Sequence, residues 1–149
     1  MSSHGKLSPD YDDDWYAWTE KNAELLRQGR LSEIDAQHIA EELEDMGRSE
    51  RHALAGHFKV LITHLLKWRY QPAFRGVSWQ LSVDNARDEI DQLLADSPSL
   101  RTKLDGIVSA RYSAARKRAS VETGLALDIF PETCPFSIEQ LMDESYWPD

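Results

Sequence analysis

The sequence predicts an all-α protein: a bundle of about five main helices, an extended C-terminal strap and a short final helix. Three observations predict it. Apolar residues recur in steps of three and four along most of the chain, no segment alternates with period two over a useful length, and β-branched residues are sparse. No self-similarity stands out at a period of roughly 20–50 residues, which argues against a repeat array.

Taken in order, residues 1–9 read as a disordered leader ending in Ser8-Pro9, and residues 10–149 as a single helical domain. Asp10, Asp12, Asp13 and Asp14 suit the positive end of a helix dipole. Trp15, Trp18, Asn22, Leu25 and Leu26 follow at helical spacing, and Gly29 closes that first helix. Ser32 is a good N-cap for a second helix with the apolar stripe Ala36, Ile39, Ala40, Leu43 and Met46, ended by Gly47. Ser49 can cap a third, central helix, in which Leu54, Phe58, Leu61, Ile62, Leu65, Leu66 and Trp68 cover a wide apolar arc. Pro72 ends it.

A loop through Gly76 leads to a fourth helix, whose seam is Trp79, Val83, Ala86, Ile90 and Leu93. Ser97-Pro98 is a stop and restart, with proline at the first helical position. The fifth helix then runs from about Ser99 to Thr123, with Gly124 behind it. Leu125 to Pro135 contains two prolines and no period, and reads as a strap anchored by Leu127, Ile129 and Phe130. Ser137 and Gln140 form a capping box for the final helix, which ends near Asp143.

Composition narrows the class. A chain of 149 residues with 41% hydrophobic and 29% charged residues is ordinary for a globular protein and long enough to bury a core. No apolar run approaches the roughly 18 residues of a membrane span, and the first residues lack the apolar stretch of a secretory signal. The single Cys134 excludes an internal disulfide framework. These features predict a cytoplasmic protein. Net charge is −9, arranged in blocks: twelve acids and four cations over residues 1–46, then six cations and one acid over residues 47–82. Alternating blocks imply that acidic and basic helices satisfy one another. Overall acidity disfavours nucleic acid as a partner.

Several of these stretches, taken together, are similar to a bacterial family, domain of unknown function 29. The matching pieces are Tyr11-Asp12-Asp13-Asp14-Trp15-Tyr16-Ala17-Trp18, Leu25 to Leu31, Ala40 to Arg51, His64 to Pro72, Ser97 to Leu100 and Pro131 to Pro135. The resemblance covers roughly Asp10 to Trp147. It implies a compact helical protein with no established activity, and it assigns no catalytic residue.

The richest stretch for binding runs from His64 to Trp79. Trp68, Arg69, Tyr70, Gln71, Arg75 and Trp79 mix aromatics and cations where one helix gives way to the next, a composition common at partner-binding surfaces. The same mixture also ties helix ends into cores, and the +5 charge of the block suits a clamp on acidic helices. The leading expectation is a non-enzymatic interaction module that binds another protein there, with the N-terminal Tyr11, Trp15 and Trp18 as an extension. A homodimer is the other form such a partner could take; no membrane partner and no cofactor are implied.

Two alternatives carry chemistry. Asp35, His38 and Glu42 share one strip of the second helix, and His57 and His64 share one face of the third, so the five could close a metal site or orient a general base. The bland reading holds each histidine against a carboxylate or a backbone carbonyl. Arg111, Arg116, Lys117 and Arg118 could meet phosphates, although cations late in a helix also suit its dipole, and only Tyr112 is nearby for base stacking. No phosphate loop, nucleophile elbow or His-Glu-x-x-His is present, and Cys134 has no activating cation beside it in sequence.

Overall fold

The computed structural model describes residues 10–149, so the leader expected over residues 1–9 lies outside the described residues. The fold is all-α, without a strand among the described residues. Five α-helices occur among the described residues: α1 (Trp15–Arg27), α2 (Ala36–Tyr70), α3 (Val77–Asp96), α4 (Leu104–Thr123) and α5 (Ile138–Met142), with short 3-10 turns at Pro72–Phe74, Pro98–Lys103 and Leu127–Ile129. The expected second and third helices are therefore one helix of 35 residues. Gly47 does not end it, because its backbone stays helical: among the described residues only Gly29 and Gly124 take positive φ. Nothing at the junction stops a helix. The residues around Gly47 are good helix formers, no proline intervenes, and Arg48 pairs with Asp45 one turn back.

The chain divides into two compact units, Met1–Arg48 and Ser49–Asp149, and the boundary falls inside α2. In the first unit Asp14 caps α1 by accepting from the Ala17 amide, and Gly29 at φ 71° turns the chain after Gln28. The cap of α2 is Asp35 rather than Ser32. Its Oδ1 accepts from the His38 amide, and its own amide is held by the Asn22 side chain at 2.8 Å. Trp18, Asn22 and Leu25 are buried. The expected core stripe of α2 is not: Leu43 is 61% and Met46 64% exposed. Within this unit α1 meets instead the strip carrying Asp35, His38 and Glu42. Indole donors on α1 and the Tyr11 phenol in the turn before it satisfy those acceptors directly.

The second unit holds a continuous core. Leu54, Phe58, Leu61, Ile62, Leu65 and Leu66 of α2 are fully buried, and Val83, Ala86, Ile90 and Leu94 of α3 pack in the same cluster. Pro98 opens a 3-10 turn that delays the start of α4 to Leu104. Gly124, left-handed at φ 77°, ends α4, and the Ser137–Gln140 capping box forms as expected at α5. Of the three apolar residues expected to anchor the strap, only Phe130 is buried; Leu127 and Ile129 are exposed because they sit on a 3-10 turn facing outward. The other strap anchors are polar. Tyr112 donates from its hydroxyl to the Pro131 carbonyl at 2.6 Å, Arg116 donates to the Phe130 carbonyl at 3.1 Å, and Ser120 donates to the Leu125 carbonyl at 2.7 Å.

Candidate functional site

Trp68, Tyr70, Gln71, Arg75 and Trp79 are half-buried, whereas Arg69, Phe74 and Val77 of the same stretch are exposed. Its side chains face residues of the same unit. Trp68 lies against Trp147 with ring centroids 4.4 Å apart, and the Arg75 guanidinium sits 5.1 Å over the Trp68 ring. Arg75 also donates to the Trp68 carbonyl and to the Asp149 backbone oxygen, both at 2.8 Å. Tyr70 meets Phe130 edge-on at 5.3 Å, and Gln71 donates to the Thr123 carbonyl at 3.2 Å. Trp79 carries the Lys67 ammonium 4.9 Å from its ring centroid. Lys67 itself is 8% exposed and pairs with Glu122 at 2.9 Å. Burial pushes the Glu122 carboxyl up, but Lys67, Arg118 and His64 outweigh it and hold the group below its usual range. These groups clamp the ends of α2 and α4 and the C-terminal segment.

The acid–histidine strip forms a second cluster, in the first unit. Asp35 Oδ2 accepts from the Trp18 indole at 2.9 Å and lies 2.6 Å from His38 Nδ1. Tyr11 stacks on the His38 ring at 4.1 Å, and its hydroxyl donates to Glu42 at 2.6 Å. Trp15 donates to the other oxygen of Glu42 at 2.9 Å. The hydrogen bond to Glu42 pushes the Tyr11 phenol up to about 12. Burial pushes Asp35 up, yet the bonds from His38 and Trp18 prevail and hold it below the usual carboxylate range. The Asp35 bond in turn raises His38, against a smaller effect of burial. The dyad orients one imidazole nitrogen, which is half of what an acid–base site needs. Glu42 spends both oxygens on α1 and its preceding turn.

The remaining histidines have neighbours of their own. His57 Nε2 is 3.9 Å from Glu89, and His64 Nδ1 is 2.9 Å from the Val60 carbonyl. Among the described residues no group of three or more His, Cys, Asp or Glu side chains is placed to hold a metal ion. Of the late α4 cations, Arg116 is engaged with the strap and Arg118 with Glu122, while Arg111 Nε is buried with no hydrogen-bond partner.

Sequence reasoning missed Arg87, which is 2% exposed. It donates to the carbonyls of Leu141 at 2.9 Å and Gln140 at 3.1 Å, supplying the last turn of α5 with the cation that its orphan carbonyls favour. A lone arginine between Ala86 and Ile90 on the apolar seam was the available signal, since an arginine there has to find buried acceptors.

The fold and these clusters define an all-helical protein with its polar groups spent largely on internal clamps and with apolar side chains left outside. The chain is a member of the family described as domain of unknown function DUF29, whose family model matches residues 11–147. No curated protein and no solved structure matches it. No helix among the described residues is long and apolar enough to cross a membrane.

Proposed function

We propose that this chain is a non-enzymatic interaction module of the bacterial cytoplasm that binds a protein partner, and that the first unit supplies the docking face. The observation that carries the reading is the α2 stripe of Leu43 and Met46, both more than half exposed, with Ile39 half-buried one turn earlier. Spacing of four and three residues is that of a helix–helix seam. Glu41, Glu44 and Asp45 flank it, all exposed. The described part of this unit carries twelve acids against four cations, so two copies meeting face to face would repel. The complementary occupant is a basic amphipathic helix of another protein. A single cysteine and an acidic composition suit the cytoplasmic placement. Arg69, exposed beside the clamp, is left as the polar remnant of the second-unit surface.

The experiment uses the full chain and a fluorescent synthetic helix with leucine and lysine at heptad spacing. Burying two such side chains contributes about 1.5–3 kcal/mol each, so Leu43→Glu with Met46→Glu should weaken binding about a hundredfold or more. Wild-type affinity should also fall with added salt. Equal binding by the double variant overturns the proposal. So does sedimentation showing a wild-type dimer that the same substitutions dissolve, since the face would then belong to a second copy.

A further inference from the structure

Residues 143–149 follow α5 without helix or strand and lie, within the second unit, on the surface built by Trp68 and Arg75. They are held as a receptor holds an extended peptide. Trp147 packs on the Trp68 ring and Pro148 is buried. Arg75, whose guanidinium also sits over Trp68, donates to the Asp149 backbone oxygen at 2.8 Å. The Arg87 guanidinium stands 5.9 Å from the Trp147 ring centroid. Among the described residues no backbone–backbone hydrogen bond reaches residues 147–149, so side chains alone hold them. The segment carries three acids, Asp143, Glu144 and Asp149, and no cation, which complements the two arginines. Phe74 and Val77, flanking Arg75 in the chain, stay 64% and 68% exposed with the segment in place.

We infer that the surface of Trp68 and Arg75 is a peptide-binding site closed in cis by residues 143–149, and that its external ligand is an extended acidic peptide of another protein, carrying a Trp-Pro pair followed by apolar residues. The ligand chemistry is read from the segment already seated. It offers an indole to the Trp68 ring, a proline that presets its own backbone angle, and an oxygen to the Arg75 guanidinium. A segment without backbone pairing opens more easily than the helices it covers, which makes the site exchangeable. An external peptide competes with a tethered segment whose effective concentration is of roughly millimolar order, so it needs contacts that the segment lacks. Phe74 and Val77 supply them, uncovered on either side of Arg75. This site lies wholly in the second unit and is separate from the α2 face of Leu43 and Met46.

The probe is a fluorescein-labelled synthetic peptide of residues 143–149, with and without two leucines added after Asp149, titrated against the full chain by anisotropy. In the wild type the site is filled, and affinity is lowered by the fraction of molecules in which it stands free. Trp147→Ser in the full chain releases the segment and should tighten peptide binding about tenfold or more. Arg75→Gln added to that variant should cancel the gain. The leucine extension should tighten binding to the wild type about tenfold or more, because it buries apolar surface at Phe74 and Val77. Fluorotryptophan NMR of the wild-type chain reads the site without any variant: excess extended peptide should move the Trp147 signal to the position of a solvent-exposed indole. Equal affinity of wild type and Trp147→Ser, indifference to Arg75→Gln, no gain from the extension, or an unmoved Trp147 signal overturns the inference. So does a wild-type dimer that Trp147→Ser dissolves, since the site would then belong to the same segment of a second copy.

Discussion

The two units of this chain share one helix and treat it in opposite ways. In Ser49–Asp149 the C-terminal part of α2 is the core, and nineteen apolar residues join a single buried cluster. Among the described residues of the first unit only Trp18, Asn22 and Leu25 are buried, while Trp15, Tyr16, Leu26, Leu31, Leu43 and Met46 stand exposed. The first unit holds its two helices by hydrogen bonds from tryptophan and tyrosine to Asp35 and Glu42. Such bonds give direction but little net stability each, about 0.5–1.5 kcal/mol, and more when an ionised carboxylate accepts. The second unit is stabilised by apolar burial that no two-helix pair can match. The difference teaches where change is tolerated: the apolar face of α2 is covered in the second unit and open in the first.

The sharpest way to break that contrast is to truncate one apolar residue on each part of α2. Phe58→Ala should destabilise the protein by about 3–5 kcal/mol, since it leaves a cavity in a close-packed cluster. Leu43→Ala should shift stability by no more than about 0.5 kcal/mol, as for other exposed positions. Urea unfolding of the two variants checks both, and similar losses would refute the division. A somewhat smaller effect is expected at Arg87. Arg87→Leu keeps the volume but strands the Gln140 and Leu141 carbonyls, costing about 1–3 kcal/mol, with loss of protection of the α5 amides in hydrogen exchange. If α5 exchanges no faster than in the wild type, Arg87 is not its cap.

How much of this was legible in the sequence follows the same division. The seam Val83, Ala86 and Ile90, the Ser137–Gln140 box and the left-handed Gly124 could all be read, because local spacing and burial agree there. Gly47 misled, since glycine is as compatible with a helix interior, at a cost of about 1 kcal/mol, as with its end. The α2 stripe misled more deeply. A periodicity of four and three says that Ile39, Leu43 and Met46 share a face, not that anything covers it. The strip that α1 meets is polar, and only the reach of Trp15, Trp18 and Tyr11 decides that. In the aromatic stretch, composition marked Trp68 and Arg75, but their partners Trp147 and Asp149 lie too far along the chain for any local pattern.

The smallest expected effect separates the units by pH. His38 has its pKa raised above 6.5, chiefly by its bond to Asp35, so the folded form holds the proton more tightly than the unfolded chain does. Its contribution to stability is complete below pH 6.5 and is lost as pH rises through the folded pKa. Asp35, held below 3.8, adds a contribution present above that pH and lost as pH falls through its own folded value. His64, in the second unit, runs the other way. Burial lowers its pKa, helped by the nearby Lys67 charge and opposed by the Val60 carbonyl and Glu122. Below pH 6.5 the unfolded chain takes up a proton there that the folded one resists, so stability falls on acidification. Proton NMR titration of the imidazole signals should place His38 above 6.5 and His64 below it, with Asp35→Asn lowering only the first. If Asp35→Asn leaves His38 unmoved, the dyad does not set that pKa, and the pH contrast between the two units does not originate in the Asp35 bond.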